Sequence, residues 1–88
     1  MKVLAMRNFR LKHKISLSEI AGQMDKSAQW LSRVELAQIR TGPINKRKIL
    51  TAFKNILKVR GKSLVQMKSE FETAKSRFFE EENEWTKP

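Results

Sequence analysis

Three polar residues, Gln29, Ser32 and Arg33, recur at a spacing that places them together on one face of a helix. At about 100° per residue, Leu31 and Val34 point the opposite way, toward a core. A glutamine amide can pair with adenine through two hydrogen bonds, an arginine guanidinium can bind guanine in the same bidentate manner, and a serine hydroxyl can donate or accept. This face therefore carries the chemistry that base edges in duplex DNA require.

Ala28 lies at the flank of the same face, where its methyl group can touch the methyl group of a thymine. Taken alone, such polar residues on a basic helix are most simply a solvated surface, and for an isolated trio we would favour that interpretation. The residues on either side of the trio reverse this preference.

The chain from Ser16 to Glu35 has the pattern of two short capped helices separated by a three-residue break. Ser16 and Glu19 stand at capping-box spacing, so each can bind a backbone group at the start of the first helix. The apolar positions of that helix are Leu17, Ile20, Ala21 and Met24. Ser27 can cap the second helix, here called the reading helix, and Asp25 in the break is a residue that tolerates a left-handed backbone. A helix, a tight turn and a second helix form a motif typical of DNA-binding proteins.

The chain is strongly basic: 19 Lys and Arg stand against 9 Asp and Glu, for a net charge of +10 and a pI near 10.4. Residues 1–62 hold 15 basic and 3 acidic residues, whereas residues 63–88 hold 4 basic and 6 acidic ones. This charge indicates a polyanionic partner, although ribosome-associated and membrane-surface proteins share it. The glutamates near the C-terminus are most simply a solvated face; alternatively they keep that end of the protein away from phosphates.

Four basic residues flank the reading helix and are candidates for contacts with DNA phosphates: Lys26, Arg40, Lys46 and Arg47. Lys46 and Arg47 come at the start of a predicted helix, where the helix macrodipole disfavours cations unless an anion is nearby. A phosphate group would be that anion. Each residue taken singly is most simply solvated, and it is the cluster that indicates phosphate binding.

Apolar spacing predicts further helices before and after the motif, and no strands. A first amphipathic helix carries Val3, Leu4, Met6, Phe9 and Leu11. A fourth begins near Asn45 as its N-cap, carries Ile49, Leu50, Phe53, Ile56 and Leu57, and ends at Gly61. Ser63 and Gln66 form another capping-box pair and open a last helix that can run to about Trp85. The predicted fold class is all-α: a compact helix-turn-helix domain of about five helices over residues 1–60, and an extended amphipathic C-terminal helix over residues 63–86.

The last predicted helix carries an apolar stripe at heptad spacing. Its members are Leu64, Met67, Phe71, Ala74, Phe78 and Trp85. Such a stripe can form a dimer or partner interface, or it can fold back on its own domain. Because the remaining core is small, we favour self-association and keep intramolecular packing as the alternative.

The sequence lacks the patterns typical of enzymes, metal sites and cofactor sites. It has no Cys and one His, so neither a disulfide framework nor a metal site is expected, and no cofactor is predicted. It has no nucleophile–base spacing and no glycine-rich phosphate loop, and His13, among lysines at a helix end, is expected to be solvated. The longest apolar run, residues 3–6, is too short for a signal peptide or a membrane span, so we expect a cytoplasmic protein with no membrane partner.

Residues of the motif and its surroundings resemble the phage-repressor and Cro-like helix-turn-helix family, often called XRE, over about residues 4–60. The residues that carry the resemblance are Arg10, Ile15, Ser16, Glu19, Ile20, Ala21, Met24, Ser27, Leu31, Ser32, Arg33, Val34, Glu35 and Pro43. The resemblance implies about five helices that bind operator DNA as a dimer, with the reading helix in the major groove. It also implies a structural ion pair between Arg10 and Glu35. The residues after the reading helix, 36–38, depart from the family pattern, so a longer or differently bent turn is expected there.

Together these features predict a sequence-specific double-stranded DNA-binding transcriptional regulator, namely a homodimeric repressor of a phage or mobile element. Two alternatives remain open. The chain can be an antitoxin or coregulator that binds a protein partner through its C-terminal helix. It can also be an architectural or recombination accessory factor that bends DNA.

Overall fold

The computed structural model describes residues 2–60 and 64–84, and the side chains of residues 2–60 and 69–84. The elements in chain order are β1 (Lys2–Leu4), α1 (Ala5–Lys12), α2 (Leu17–Gly22), α3 (Ala28–Glu35), α4 (Pro43–Arg60), α5 (Leu64–Ala74), a 3-10 turn (Lys75–Arg77) and β2 (Glu81–Asn83). The described chain is thus mostly helical, as predicted, but it also contains a small sheet.

That sheet joins the two ends of the described chain and corrects the prediction of a purely helical fold. Strands β1 and β2 pair antiparallel, with Leu4 opposite Glu81. The pairing continues into α1, since the backbone N–H of Ala5 donates to Glu80 at 2.9 Å and that of Met6 to Phe78 at 3.0 Å. Three-residue strands are too short to show alternation in the sequence, and their partner lies about eighty positions away.

The predicted long C-terminal helix is also wrong, because α5 ends at Ala74 and the chain then turns back toward β1. Phe71 and Phe78 lie inside the apolar core of their own chain, and Ala74 packs against it. The Phe78 ring centroid is 4.9 Å from that of Phe53 and 5.2 Å from that of Phe9. Intramolecular packing therefore accounts for the described part of the apolar stripe. The side chains of Leu64 and Met67, and the whole of Trp85, lie outside the described residues.

One core thus contains side chains from the described parts of both predicted segments, residues 1–60 and 63–86. Strand β1, each of the five helices and the turn before β2 contribute apolar side chains to it. Among them are Met6, Ile20, Leu31, Val34, Ile49, Phe53, Leu57 and Phe78. Four phenylalanine rings, Phe9, Phe53, Phe71 and Phe78, form its aromatic centre. Burying such rings is the main source of stability in so small a domain.

Helix ends follow the predicted caps in the motif, whereas the start of α4 differs from the predicted cap at Asn45. The predicted caps at Gly61 and Ser63 lie outside the described residues. α4 begins at Pro43, two residues before the expected cap, because proline lacks the N–H that the first helical position leaves unpaired and its φ already suits a helix. Asp25 does not adopt the left-handed backbone that was expected of it. Among the described residues other than glycine, positive φ angles occur at Lys14 (55°) and Ala37 (58°).

Lys14 and Ala37 each terminate a helix by the same hydrogen-bond pattern. After α3, the Ala37 N–H donates to Val34 at 3.0 Å and the Gln38 N–H to Arg33 at 2.9 Å. After α1, the Lys14 N–H donates to Leu11 at 3.2 Å, and the next N–H bonds one residue further back. This is a Schellman motif, in which glycine usually occupies the left-handed position. The turn after the reading helix is therefore tight, so of the two expected alternatives, a longer or a differently bent turn, the longer one is wrong.

Because an alanine in the left-handed region is strained, Ala37→Gly is expected to raise the free energy of unfolding by about 0.5–1 kcal/mol. Lys14→Gly is expected to act in the same direction. Urea denaturation monitored by circular dichroism measures both. The matched control is Ala28→Gly, in the helical region at the start of α3, which is expected to leave stability unchanged or lower it. Destabilisation by Ala37→Gly would contradict the assignment of strain to this turn.

Candidate nucleic-acid interface

Helices α2 and α3 form the predicted helix-turn-helix, and both predicted caps are present. At the start of α2 the Ser16 hydroxyl accepts from the Glu19 N–H at 3.0 Å, while the Glu19 carboxylate accepts from the Ser16 N–H at 3.4 Å. At the start of α3 the Ser27 hydroxyl accepts from the Trp30 N–H at 3.1 Å. These bonds satisfy backbone donors that a helix start otherwise leaves to water, so they fix where each helix begins.

The reading helix, α3, has the two faces that its sequence predicts. Leu31 and Val34 are fully buried in the core, whereas Gln29 and Arg33 are exposed. Ser32 and Ala28 are half-buried, so each offers only part of its side chain to a partner. The exposed face of α3 therefore presents an amide and a guanidinium one turn apart.

Trp30 lies on the border between these faces, half-buried and packed against the core. The Nζ atom of Lys26 lies 5.2 Å from the centroid of its indole ring. An ammonium over an aromatic face is held by the ring quadrupole. The phosphate-contact candidate Lys26 is thus positioned beside the reading helix, and Trp30 seals the edge of the core.

A shallow groove of about 160 Å³ runs along the exposed face of α3. It is lined by Ser27, Gln29, Trp30, Arg33 and Ile39. The structure therefore brings together two of the predicted base-contacting side chains, Gln29 and Arg33. Sequence reasoning missed Ile39, because a lone apolar residue in a loop carries no periodicity.

A larger, open groove of about 640 Å³ lies beyond the turn that follows α3. It brings together Arg40 and Lys46, two of the four candidate phosphate contacts, with Glu81 of β2 and Phe79. The Nζ atom of Lys46 lies 5.3 Å from the Phe79 ring centroid. Arg47 is exposed but lines neither groove. Within residues 2–60 and 64–84, no salt bridge neutralises Arg33, Arg40 or Arg47.

A buried ion pair holds the reading helix against α1, as the resemblance implied. Arg10, 6% exposed, donates from Nε to Glu35 Oε2 at 2.7 Å and from a terminal nitrogen to Oε1 at 3.0 Å. Its other terminal nitrogen donates to the carbonyl of Ile15 at 2.9 Å. Glu35 is fully buried, and Arg7 adds a longer contact to it of 3.5 Å while also reaching Glu84 at 3.5 Å. The sequence did not predict Arg7 as a third member.

A second polar contact fixes the start of α2 relative to α4. Arg60 donates to both carboxylate oxygens of Glu19, at 3.0 and 2.9 Å, and to the backbone carbonyls of His13 and Lys14. Slight burial raises the pKa of the Glu19 carboxyl, but the hydrogen bonds from Arg60 and from the Ser16 backbone, with the charge of Arg60, outweigh it. The pKa of Glu19 is therefore lowered, and the pair is charged at neutral pH.

His13 was expected to be solvated, but its side chain is mostly buried. Its ring centroid is 4.3 Å from that of Phe9, and its Nε2 lies 2.8 Å from a carboxylate oxygen of Glu70. The contact ties the end of α1 to α5.

Across residues 2–60 and 64–84, no three His, Cys, Asp or Glu side chains cluster as a metal site would require. None of the helices in this part of the chain has both the length and the apolar character to cross a membrane.

Comparisons with known proteins yielded no match among protein-family models, curated proteins or solved structures. The resemblance to Cro-like proteins accordingly rests on the residues of the motif alone.

Proposed function

We propose that the chain is a sequence-specific double-stranded DNA-binding protein that acts as a transcriptional repressor. The observation that carries the proposal is the exposed face of α3: Gln29 and Arg33 project one turn apart from a helix whose other face is locked in the core. A reading helix must present hydrogen-bonding side chains to base edges in a fixed orientation. The buried Arg10–Glu35 pair and the caps at Ser16 and Ser27 supply that rigidity.

The surrounding charge supports the same proposal. Lys26 stands beside the start of α3, and Arg40 and Lys46 lie beyond its end. Cations on both sides of a reading helix can bind the phosphates that border a major groove, which sets the register of the helix without reading sequence. In this arrangement Gln29 and Arg33 discriminate between bases, with smaller contributions from the half-buried Ser32 and Ala28.

Repression would follow from occlusion. Two copies bound to a pseudo-palindromic site place two reading helices in successive major grooves, about one helical turn apart, and block polymerase. The described C-terminal residues Phe71 and Phe78 are already buried within one chain, so they are not available to join the two copies. We propose that the copies associate through another surface, or only when both are bound to DNA.

The alternative of an interaction module that binds a protein partner through its C-terminal stripe loses the support of Phe71 and Phe78, which are buried in their own chain. A DNA-bending accessory factor would use the same exposed face of α3. Circular-permutation gel shifts on the preferred site separate that role from simple occlusion, because a bend changes mobility with the position of the site.

The test of the proposal is selection of binding sites from random duplex DNA at near-physiological salt. An inverted repeat with half-sites about one helical turn apart is the expected result. Enrichment of no sequence, with binding that disappears as salt rises, would mean that the basic surface binds phosphates only and that the proposal is wrong.

On the selected site, Arg33→Ala is expected to cost about 1–3 kcal/mol of binding free energy and to relax the preference at one base position. Lys46→Ala is expected to weaken binding to all sequences alike. It is also expected to reduce the slope of the logarithm of the binding constant against the logarithm of the salt concentration by about 1, because one phosphate contact is lost. Fluorescence anisotropy over a salt series measures both. The matched control is Arg77→Ala, an exposed arginine of the 3-10 turn that lines neither groove beside α3. An Arg33→Ala protein that kept the full base preference would refute this assignment.

A further inference from the structure

Ile39 is a large apolar side chain left partly in water at the edge of the proposed DNA-binding surface. It lies in the loop between α3 and α4, is 36% exposed and does not belong to the core cluster. Two other large apolar side chains in the described chain are exposed, Ile44 and Val59, but neither lines the groove along α3. Single exposed apolar side chains are common on protein surfaces. It is the position of Ile39 in the groove beside Gln29 and Arg33 that indicates a partner there.

The groove that Ile39 lines has walls of two kinds. Gln29 and Arg33 supply an amide and a guanidinium, whereas Ile39 and the ring of Trp30 supply apolar surface. Its volume of about 160 Å³ is well below the roughly 300–1,000 Å³ that ordinary small-molecule ligands occupy. The groove therefore has room for only a small part of a partner molecule. That part must carry a hydrogen-bonding group next to an apolar group.

The charge around the groove narrows the choice of partner. Lys26, Arg33 and Arg40 are exposed near it, so the partner as a whole is anionic. In the major groove of DNA, thymine presents its C5-methyl group next to the O4 acceptor, and it is the only base that offers a methyl group there. Both the polar and the apolar walls of the groove match that edge.

We propose that Ile39 is a specificity-determining residue that contacts the methyl group of a thymine next to the bases read by Gln29 and Arg33. This inference rests on the proposed function and adds a residue from outside the reading helix to its specificity. Ile39 would select thymine by burying a methyl group, whereas Gln29 and Arg33 select their bases by hydrogen bonds.

The experiment replaces each thymine of the selected site in turn by deoxyuridine, which removes only the C5-methyl group. For the unchanged protein, one thymine in each half-site is expected to show a loss of affinity of about fourfold, the value for burying one such carbon. In Ile39→Ala that loss is expected to shrink to less than about 1.5-fold. Since each comparison uses one protein sample on two DNAs, any loss of active protein cancels.

Val59→Ala is the matched control. Val59 is 85% exposed near the end of α4, roughly 20 Å along the helix from Lys46. It is expected to retain the full fourfold loss. Ile39→Val, which keeps a branched apolar side chain, is expected to retain part of it.

The outcomes distinguish this inference from the proposed function. A fourfold loss that persists in Ile39→Ala, as it would if Ala28 held the methyl group, overturns the inference and leaves the proposed function standing. If no thymine of the preferred site is sensitive to replacement by deoxyuridine, the inference is likewise overturned and the proposed function still stands. If selection yields no preferred site, the proposed function fails and the inference fails with it.

Discussion

Glu35→Gln is expected to lower the free energy of unfolding by about 3–5 kcal/mol. Glu35 is fully buried and accepts two hydrogen bonds from Arg10, which is itself almost fully buried. Removing the negative charge leaves a guanidinium in the interior without its counter-charge, and the desolvation of that group is no longer compensated. A domain of this length has a total stability of roughly 4–13 kcal/mol, so the variant is expected to be largely unfolded at elevated temperature.

Urea denaturation followed by circular dichroism measures the effect. The matched control is Glu84→Gln, because Glu84 also contacts an arginine, Arg7 at 3.5 Å, but is partly exposed. That change is expected to cost less than about 1 kcal/mol. The double variant Arg10→Met with Glu35→Leu removes both charges and is expected to recover much of the loss. A cost for Glu35→Gln as small as that of the control would show that the pair does not hold α3 in place.

The second large effect concerns the segment that the sequence assigned to an interface. Phe78→Ala is expected to lower the free energy of unfolding by about 3–5 kcal/mol, the usual cost of truncating a buried phenylalanine. The Phe78 ring is fully buried and contacts Phe9, Phe53 and Phe71 at centroid distances of 4.9 to 5.5 Å. Truncation leaves a cavity in the aromatic centre of the core and removes the packing that anchors β2 near β1.

Denaturation at several protein concentrations distinguishes this effect from the loss of a dimer interface. If Phe78 stabilises its own chain, the midpoint shifts by the same amount at every concentration. The neighbouring Phe79 is only half-buried and packs at the edge of the core, so Phe79→Ala is expected to cost about 1–2 kcal/mol. A Phe78→Ala variant that keeps its stability but changes its oligomeric state would restore the interface interpretation.

Features that depend on residues close together in the chain could be predicted from the sequence, whereas features that depend on distant residues could not. Capping at Ser16 and Ser27 could be predicted because a cap depends on residues within three positions of each other. The two faces of α3 could be predicted because the helical period alone decides which side chains share a face. The Arg10–Glu35 pair spans 25 positions, and it was expected only through the resemblance of the motif to a known family.

The C-terminal segment shows where local pattern fails. Phe71, Ala74 and Phe78 have the same spacing whether they face a second chain or their own core, so periodicity cannot choose between the two. The choice depends on contacts across most of the chain, such as Phe78 with Phe9 and the backbone bond from Met6 to Phe78. The 3-10 turn after Ala74 lets the chain reverse and reach those partners.

By itself, then, the sequence determined the helix-turn-helix, its caps, its exposed polar face and the basic character of the chain, since each follows from local spacing or from composition. Only the tertiary structure decided that the chain ends pair as a sheet, that the C-terminal phenylalanines complete the core, that Arg7 joins the buried ion pair and that Ile39 stands beside Gln29 and Arg33. Those features depend on which distant segments pack together, and that is set by the burial of apolar surface over the whole domain rather than by any short stretch of residues.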